Sequence, residues 1–270
     1  MFDCRAFVTY TIRLHLLLKQ INLFTANVPY IRWRAVRFPL DVVAHVAEGC
    51  LYVADWAAGG ERGGRVWRVY PDGLVDPFID DVEQPRKLSL TADRLLIVSR
   101  DRLVVRRLPH GEVTSVVALP VAEAQHAVEL TAAAAADDDD DDGRRRRATY
   151  VVGHGASSDV PHRVSVVEVS PGPGGGGTAV VVRSYGGRGP GELSWPTHVS
   201  LAAGDGRVVV ADCDNDRVVM LDARLRLERV ALSGDDDDAM RTPRRLCYVD
   251  DRGLLLVGID AGCVDVYRIK

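Results

Sequence analysis

The stretch that decides the fold reads GRGPGELSWPTHVSL at residues 187–201 and continues as VVVADCDNDRVVML at residues 208–221. Its glycines and prolines are typical of turns. Two runs rich in valine follow, Val208–Asp212 and Arg217–Leu221, and such runs predict strands. The short polar segment between them favours a tight turn. The stretch therefore predicts consecutive antiparallel strands joined by short connections.

The apolar run recurs along the chain. Its five copies begin at Leu51, Leu95, Thr149, Val208 and Leu254. Upstream of each copy lies an anchor residue, which is Pro39, Pro85, Gln125, Pro196 or Pro243. Two low-complexity inserts, at 132–147 and 171–177, lengthen two of the intervals, and without them the period is about 45 residues. Regular recurrence at this period predicts a repeat architecture.

Each unit contains signals for four short strands, which is typical of a β-propeller blade. A sheet that is apolar on both faces needs neighbours that cover it. We therefore predict an all-β propeller of four-stranded antiparallel blades over 35–270, preceded by an N-terminal extension, helix or strand, over 1–34. Five copies fit the chain, and a ring with an eroded sixth blade is the alternative. The fifth copy ends before its last strand, and we expect Trp33–Phe38 to supply that strand.

The copy at 187–221 resembles an NHL repeat. It carries the glycines, the proline, the apolar strand and the Val-Ala-Asp-x-x-Asn-x-Arg-Val pattern in order, with Asp212, Asn215 and Arg217 at the polar positions. The copy at Pro39–Val69 matches in part, through Asp55 and Arg65. The resemblance implies that these polar residues hold a turn, and that the propeller serves as a protein- or RNA-interaction module. Asp and Asn are suited to capping backbone amides, and Arg to pairing with the Asp.

Polar residues also follow the anchors, where the innermost strand of each blade begins. A propeller would gather them around one channel mouth, and we predict a partner-binding surface there. Its residues are Asp41, Arg86, Lys87, His126, His198, Arg244 and Arg245. The alternative is that they are ordinary polar residues of the rim. His126 and His198 lack a third ligand in the sequence pattern, so we predict no metal site there.

Composition limits the classes of function. The chain is 47% hydrophobic and 27% charged, which excludes a disordered protein. Its net charge of −4 disfavours RNA as a partner relative to protein. The five cysteines have no CxxC spacing, which predicts reduced thiols rather than a zinc site or disulfides, and a cytoplasmic location. The N-terminal apolar segment is interrupted by Arg13, His15 and Lys19, so we expect no membrane span in it.

Catalytic signatures such as His-Glu-x-x-His and Gly-x-Ser-x-Gly do not occur in the chain. We therefore expect a non-enzymatic interaction propeller without a cofactor, which presents its channel mouth to a protein. The alternative is a metal-dependent hydrolase or lyase with a site in the central channel, since enzymes of that kind are built on propellers similar to NHL domains.

Overall fold

A computed structural model describes residues 35–56, 63–70, 72–91, 93–130, 147–172, 176–187, 191–202, 204–234, 241–249, 253–260 and 264–269. The predicted extension over 1–34 and nearly all of the insert at 132–147 lie outside these ranges. In the described part, every regular element is a strand except one short 3₁₀ helix, Cys213–Asn215. No helix in those ranges has the length and apolar character that crossing a membrane requires.

Five antiparallel sheets follow one another along the chain, and each is a simple up-and-down meander. The first sheet contains β1 (Pro39–His45), β2 (Cys50–Asp55), β3 (Arg65–Val69) and β4 (Val75–Ile79). The second contains β5 (Pro85–Leu90), β6 (Arg94–Ser99), β7 (Arg102–Arg107) and β8 (Glu112–Ala118). The third contains β9 (Ala124–Leu130), β10 (Ala148–His154), β11 (His162–Pro171) and β12 (Gly177–Gly187).

The last two sheets continue the same order. The fourth contains β13 (Pro196–Leu201), β14 (Val208–Asp212), β15 (Arg217–Leu221) and β16 (Leu227–Ser233). The fifth contains β17 (Pro243–Val249), β18 (Leu254–Ile259) and β19 (Val264–Arg268), so it has three strands within the described residues. We refer to the five sheets as blades 1 to 5.

The all-β propeller prediction is confirmed, with five blades rather than six. The predicted strands agree with the observed ones because valine-rich runs alternate with Gly, Asp and Pro turns. The closing strand expected at Trp33–Phe38 does not occur in the part of that segment that the structure describes. Ala35–Phe38 has no strand structure, and the other two residues lie outside the described ranges.

Two compact units divide the chain. The first comprises residues up to Arg100 together with Val104–Thr114, and the second comprises Asp101–Leu103 and residues from Ser115 onward. Blade 1 and most of blade 2 therefore belong to the first unit, and blades 3, 4 and 5 to the second.

Packing between blades supplies the core of the second unit. One cluster joins Val151 and Val164 of blade 3 to Val199 and Val210 of blade 4. Another joins the opposite face of blade 4, through residues such as Met220, to blade 5. Each buried valine contributes about 1.5–3 kcal/mol, so sheets that are apolar on both faces are stable only when stacked.

Candidate functional site

The polar residues singled out in the sequence lie at one end of each sheet. At this end, which we call the upper end, the first strand begins and the second strand ends, as in the pairs Pro39–Asp55 and Pro196–Asp212. In blades 1, 2, 4 and 5 the first strand carries a register shift between its first and third residues. In blade 3 the shift falls at the same place, because Ala124 pairs with His154 and His126 pairs with Gly153, the adjacent residue. Such a bulge turns the strand locally and redirects the third side chain.

A left-handed residue precedes the first strand in four blades. These residues, with φ between +46° and +55°, are Gln84, Glu123, Trp195 and Thr242. Because non-glycine residues rarely adopt this conformation, its recurrence marks a repeated turn into each blade. The turn places two side chains at the upper end. One belongs to the left-handed residue itself, and the other to the third residue of the strand that follows.

Third-position side chains of the first strands are mostly buried. Asp41, His126, His198 and Arg245 all occupy this position and are buried, whereas Lys87 is partly exposed. In the first unit, the Leu88 amide donates to Oδ2 of Asp41 over 2.8 Å. In the second unit, the Val199 amide donates to Nδ1 of His126 over 3.4 Å. These side chains therefore tie the first strand of one blade to that of the next, a role that the sequence did not reveal.

His126 and His198, from neighbouring first strands, are stacked. Their ring centroids are 3.9 Å apart and the ring planes are inclined by 23°. Since Nδ1 of His126 accepts the Val199 amide, this nitrogen carries no proton. Face-to-face stacking is a packing arrangement rather than the convergence of nitrogen atoms that a metal ion needs.

Arg245 is buried at the same position of blade 5. Burial lowers its pKa to about 10, partly offset by the neighbouring Cys247. The guanidinium therefore remains protonated at neutral pH inside the protein, and charge reversal at this position would disturb the fold as well as any partner.

The polar turn of blade 4 is brought together around one carboxylate. The buried Asp212 accepts hydrogen bonds from Nδ2 of Asn215 over 2.8 Å and from Nε of Arg217 over 2.5 Å. It also accepts the Ser194 amide over 2.6 Å, and Arg217 donates onward to the carbonyl of Gly191 over 2.7 Å. The cluster fastens the glycine-rich segment before β13 to the turn after β14.

Blade 1 has a related cluster with a different donor. Asp55 accepts the amides of Arg37 and Phe38 over 3.0 and 2.8 Å, and the indole Nε1 of Trp67 over 3.0 Å. Arg65 contacts this cluster through its guanidinium, which lies 4.9 Å from the centre of the Trp67 ring. The side-chain donor from β3 is thus tryptophan, where blade 4 uses arginine.

A tryptophan and an arginine form a partly exposed contact at the upper end in the second unit. The Arg244 guanidinium lies 4.1 Å from the centre of the Trp195 ring. Two hydrogen bonds of 2.7 Å join Arg244 to Asp260, and Nε1 of Trp195 donates to Gln125 over 3.4 Å. Trp195, Arg244 and Gln125 are partly exposed and Asp260 is exposed. We call these four residues the Trp195 patch, and it joins blades 3, 4 and 5.

In the first unit the upper end exposes aromatic rings. Phe38 is 52% exposed and Trp56 is 41% exposed, and the Trp56 amide donates to the Phe38 carbonyl over 3.0 Å. Arg86 and Lys87 are partly exposed. Sequence reasoning overlooked Phe38, Trp56 and Trp195. Their signal is positional, because Phe38 and Trp195 directly precede the anchor prolines and Trp56 directly follows the second strand.

One group of three side chains able to hold a metal ion occurs in the described residues. It consists of His45, Glu48 and Cys50, at the turn that joins β1 to β2, which is the lower end of blade 1.

Similar solved structures support the fold. Saccharomyces cerevisiae Sqt1 is 12% identical with a TM-score of 0.50, over 87% of this chain and 60% of that chain. An auxiliary nutrient binding protein from Bacteroides ovatus ATCC 8483 is 11% identical with a TM-score of 0.58, over 85% of this chain and 58% of that chain. This chain thus spans less than two thirds of either protein.

At these identities the similarity concerns the fold alone. No protein-family model matches the chain, and no curated protein sequence matches it. The sheet order and the solved structures agree on the architecture, and the chain has the fold of a five-bladed β-propeller.

Proposed function

We propose that this propeller is a non-enzymatic interaction module that docks a protein partner at its upper end, through the Trp195 patch. The observation that carries the proposal is the Arg244–Trp195 stack. Its centroid distance is 4.1 Å, and Asp260 holds the guanidinium in place. Tryptophan and arginine dominate the binding energy of protein interfaces, especially when their conformation is fixed before binding.

Electrostatics favours a protein over RNA as the partner. The net charge is −4, and Arg244 is already neutralised by Asp260. Nucleic-acid binding depends on cations that are available to phosphates. A partly exposed aromatic ring with a paired arginine is better suited to apolar and polar side chains of a protein.

We also propose that the propeller is related to NHL-repeat domains. The support is the sequence pattern at 187–221 together with the contacts of Asp212, Asn215 and Arg217. The relationship is compatible with a docking role, because NHL propellers generally act as interaction modules. A cytoplasmic location remains part of the same proposal.

A quantitative pull-down tests the docking surface. The full chain is immobilised as wild type, as the double variant Trp195→Ala/Arg244→Glu, and as the control Arg226→Glu. Arg226 pairs with Asp222 over 2.8 Å in the turn between β15 and β16, at the lower end of blade 4. We expect the double variant to retain at least 10-fold less of the specifically bound proteins than the wild type does, while the control retains as much as the wild type. Circular dichroism establishes that all three proteins are folded.

Equal recovery by wild type and the double variant would contradict docking at the Trp195 patch. Nuclease treatment separates the RNA alternative, since retention that disappears with nuclease and falls steeply with salt would indicate RNA. A loss confined to the control variant would place the interface at the lower end instead.

A further inference from the structure

The lower end of blade 1 brings three chemically different ligand atoms together. His45 and Cys50 are cross-strand partners that close the hairpin between β1 and β2, and Glu48 lies in the turn between them. Gly49, with φ of +63°, and its hydrogen bond to the Val46 carbonyl shape this turn. Side chains of cross-strand partners point to the same face, so the imidazole and the thiol face each other.

The distances are those of a small coordination sphere. Nδ1 of His45 lies 3.4 Å from Oε1 of Glu48, and Sγ of Cys50 lies 3.6 Å from Oε2 of Glu48. All three ligand atoms lie within 4.8 Å of one another. Around a tetrahedral zinc ion with ordinary bond lengths, adjacent N, O and S ligands are about 3.3–3.6 Å apart. The two short separations involve different oxygens of the Glu48 carboxylate. Movements of about 1 Å bring the imidazole nitrogen, the sulfur and one carboxylate oxygen, which lie within 4.8 Å of one another, to tetrahedral spacing.

Neighbouring side chains support the carboxylate. The hydroxyl of the buried Tyr52 donates to Oε2 of Glu48 over 2.7 Å. The Tyr52 ring packs against Phe78 with a centroid distance of 4.8 Å. Such second-layer hydrogen bonds orient metal ligands and strengthen binding. Nη1 of Arg68 lies 4.0 Å from the same oxygen, Oε2 of Glu48, and offsets part of the carboxylate charge.

Enclosure distinguishes this group from a surface cluster. Cys50 is 3% exposed, and the side chains of His45 and Glu48 are 12% and 20% exposed. Soft thiolate and imidazole ligands select zinc over magnesium or calcium, which prefer oxygen ligands. The residual exposure of His45 and Glu48 gives an ion access from solvent.

We propose that His45, Glu48 and Cys50 form a zinc-binding site that clamps the lower turn of blade 1. On binding, a zinc–sulfur bond forms and the thiol proton of Cys50 passes to solvent, without any change of oxidation state. Three protein ligands leave a fourth place for water or for a group from a partner. The site is independent of the docking role proposed above, since it lies at the opposite end of its blade.

Cobalt provides a direct probe, because its bond to a thiolate gives a near-ultraviolet charge-transfer absorption. The full chain is stripped with a chelator and titrated with Co²⁺, and zinc affinity is then measured by competition. We expect one ion per chain and a charge-transfer band in the wild type and in the control Cys247→Ser. Cys247 is a partly exposed cysteine of blade 5 that forms no disulfide. The variant Cys50→Ser should lose the band.

Two further variants separate ligation from folding. His45→Ala and Glu48→Gln should weaken zinc binding by at least about 10-fold, and Tyr52→Phe, which only removes the second-layer hydrogen bond, by about 10-fold. Zinc should also raise the unfolding temperature of wild type and Cys247→Ser but not of Cys50→Ser. A band that persists in Cys50→Ser, or an absence of stoichiometric binding to the folded wild type, would overturn the proposal.

Discussion

Blades 3 and 4 place different side chains at the same position of the same scaffold. His154 and Asp212 both end the second strand, pair with the first residue of the first strand, and pair with an arginine within the first two residues of the third strand. The arginines are Arg163 and Arg217. Blade 4 thus combines a buried carboxylate with an arginine, whereas blade 3 combines a buried imidazole with an arginine.

The two blades satisfy this position by different chemistry. Asp212 accepts from Asn215 and Arg217, as described above. In blade 3, Nε2 of His154 shares a 2.7 Å hydrogen bond with Oγ of Ser165, and that oxygen shares another of 2.7 Å with Oγ of Ser184. Nδ1 of His154 has no hydrogen-bond partner within the described residues. The blade 3 network is therefore built from neutral groups.

A carboxylate from another position replaces the missing one in blade 3. Glu123 accepts the amides of Ala156 and Ser157 over 2.6 and 2.8 Å, and the Ser157 hydroxyl over 2.8 Å. These bonds, led by that of the Ala156 amide, lower the pKa of Glu123. Blades 3 and 4 therefore both fasten an upper loop with a carboxylate acceptor, but the carboxylate comes from different positions.

The largest expected effect comes from removing the blade 4 carboxylate. Asp212→Ala should lower the free energy of unfolding by about 3 kcal/mol, because it removes the carboxylate partner of the partly buried Arg217, Asn215 and Ser194 amide. Urea denaturation followed by circular dichroism measures the change. Glu168→Ala is the matched control, since its 3.5 Å pair with Arg147 is exposed, and we expect a change below about 0.5 kcal/mol. Equal decreases in the free energy of unfolding in the two variants would show that the contacts of Asp212 do not stabilise the blade.

The second effect is the pH dependence of blade 3. Burial, and then the charge of Arg163, lower the pKa of His154 to about 4 from its ordinary value of 6.5. Between pH 6.5 and about 4, the unfolded chain therefore binds a proton at His154 that the folded chain does not bind. The free energy of unfolding falls as the pH drops below 6.5 and levels off below about 4. Between pH 7 and pH 5 this group should remove about 1–2 kcal/mol of stability.

Replacing the imidazole isolates that contribution. His154→Asn keeps a polar side chain within reach of Ser165 but does not titrate, so its stability should fall less than that of the wild type over the same pH range. The comparison uses urea midpoints at pH 5, 6 and 7. If both proteins lose stability in parallel, His154 is not the group responsible.

A third effect concerns the contact between the two blades. His126→Phe keeps the ring that stacks on His198 but removes the acceptor of the Val199 amide, and leaves that buried amide unpaired. We expect a loss of about 1 kcal/mol, at the low end for a buried amide because the bond is long. His110→Phe, at an exposed position, is the control. A loss above about 3 kcal/mol would indicate that the ring size, not the hydrogen bond, decides the effect.

The strands of blade 4 and the polar turn between β14 and β15 could be predicted from the sequence, for physical reasons. The strand Val208–Asp212 has the predicted bounds because a valine run ends at a polar turn. The grouping of Asp212, Asn215 and Arg217 follows from their spacing across a tight turn. Local patterns of this kind are visible along the chain without knowledge of the packing.

Other features depend on geometry that a sequence does not display. Alternation along a strand predicts which side chains share a face, but a bulge near the start of each first strand alters it. Asp41 and His126 are buried for this reason, although the sequence pattern predicts them in a partner-binding surface at the channel mouth. The hydrogen-bond network of His154 could not be predicted either. Ser184 follows the second low-complexity insert, and only the register of β11 and β12 brings it next to Ser165.

The smallest effect distinguishes the two arginines. Arg217 donates to Asp212 and, through Nη2, to the carbonyls of Gly191 and Glu192, whereas Nε of Arg163 is buried without a hydrogen-bond partner in the described residues. Lysine keeps the charge but cannot reproduce the planar fork of donors. Arg217→Lys should therefore cost about 1 kcal/mol, and Arg163→Lys less than about 0.5 kcal/mol. Because each arginine pairs with the last residue of the second strand of its blade, each variant is the control for the other in urea denaturation at pH 7. A larger loss for Arg163→Lys would mean that the charge in blade 3 is held by contacts as specific as those in blade 4, and the contrast between a charged and a neutral network would then fail.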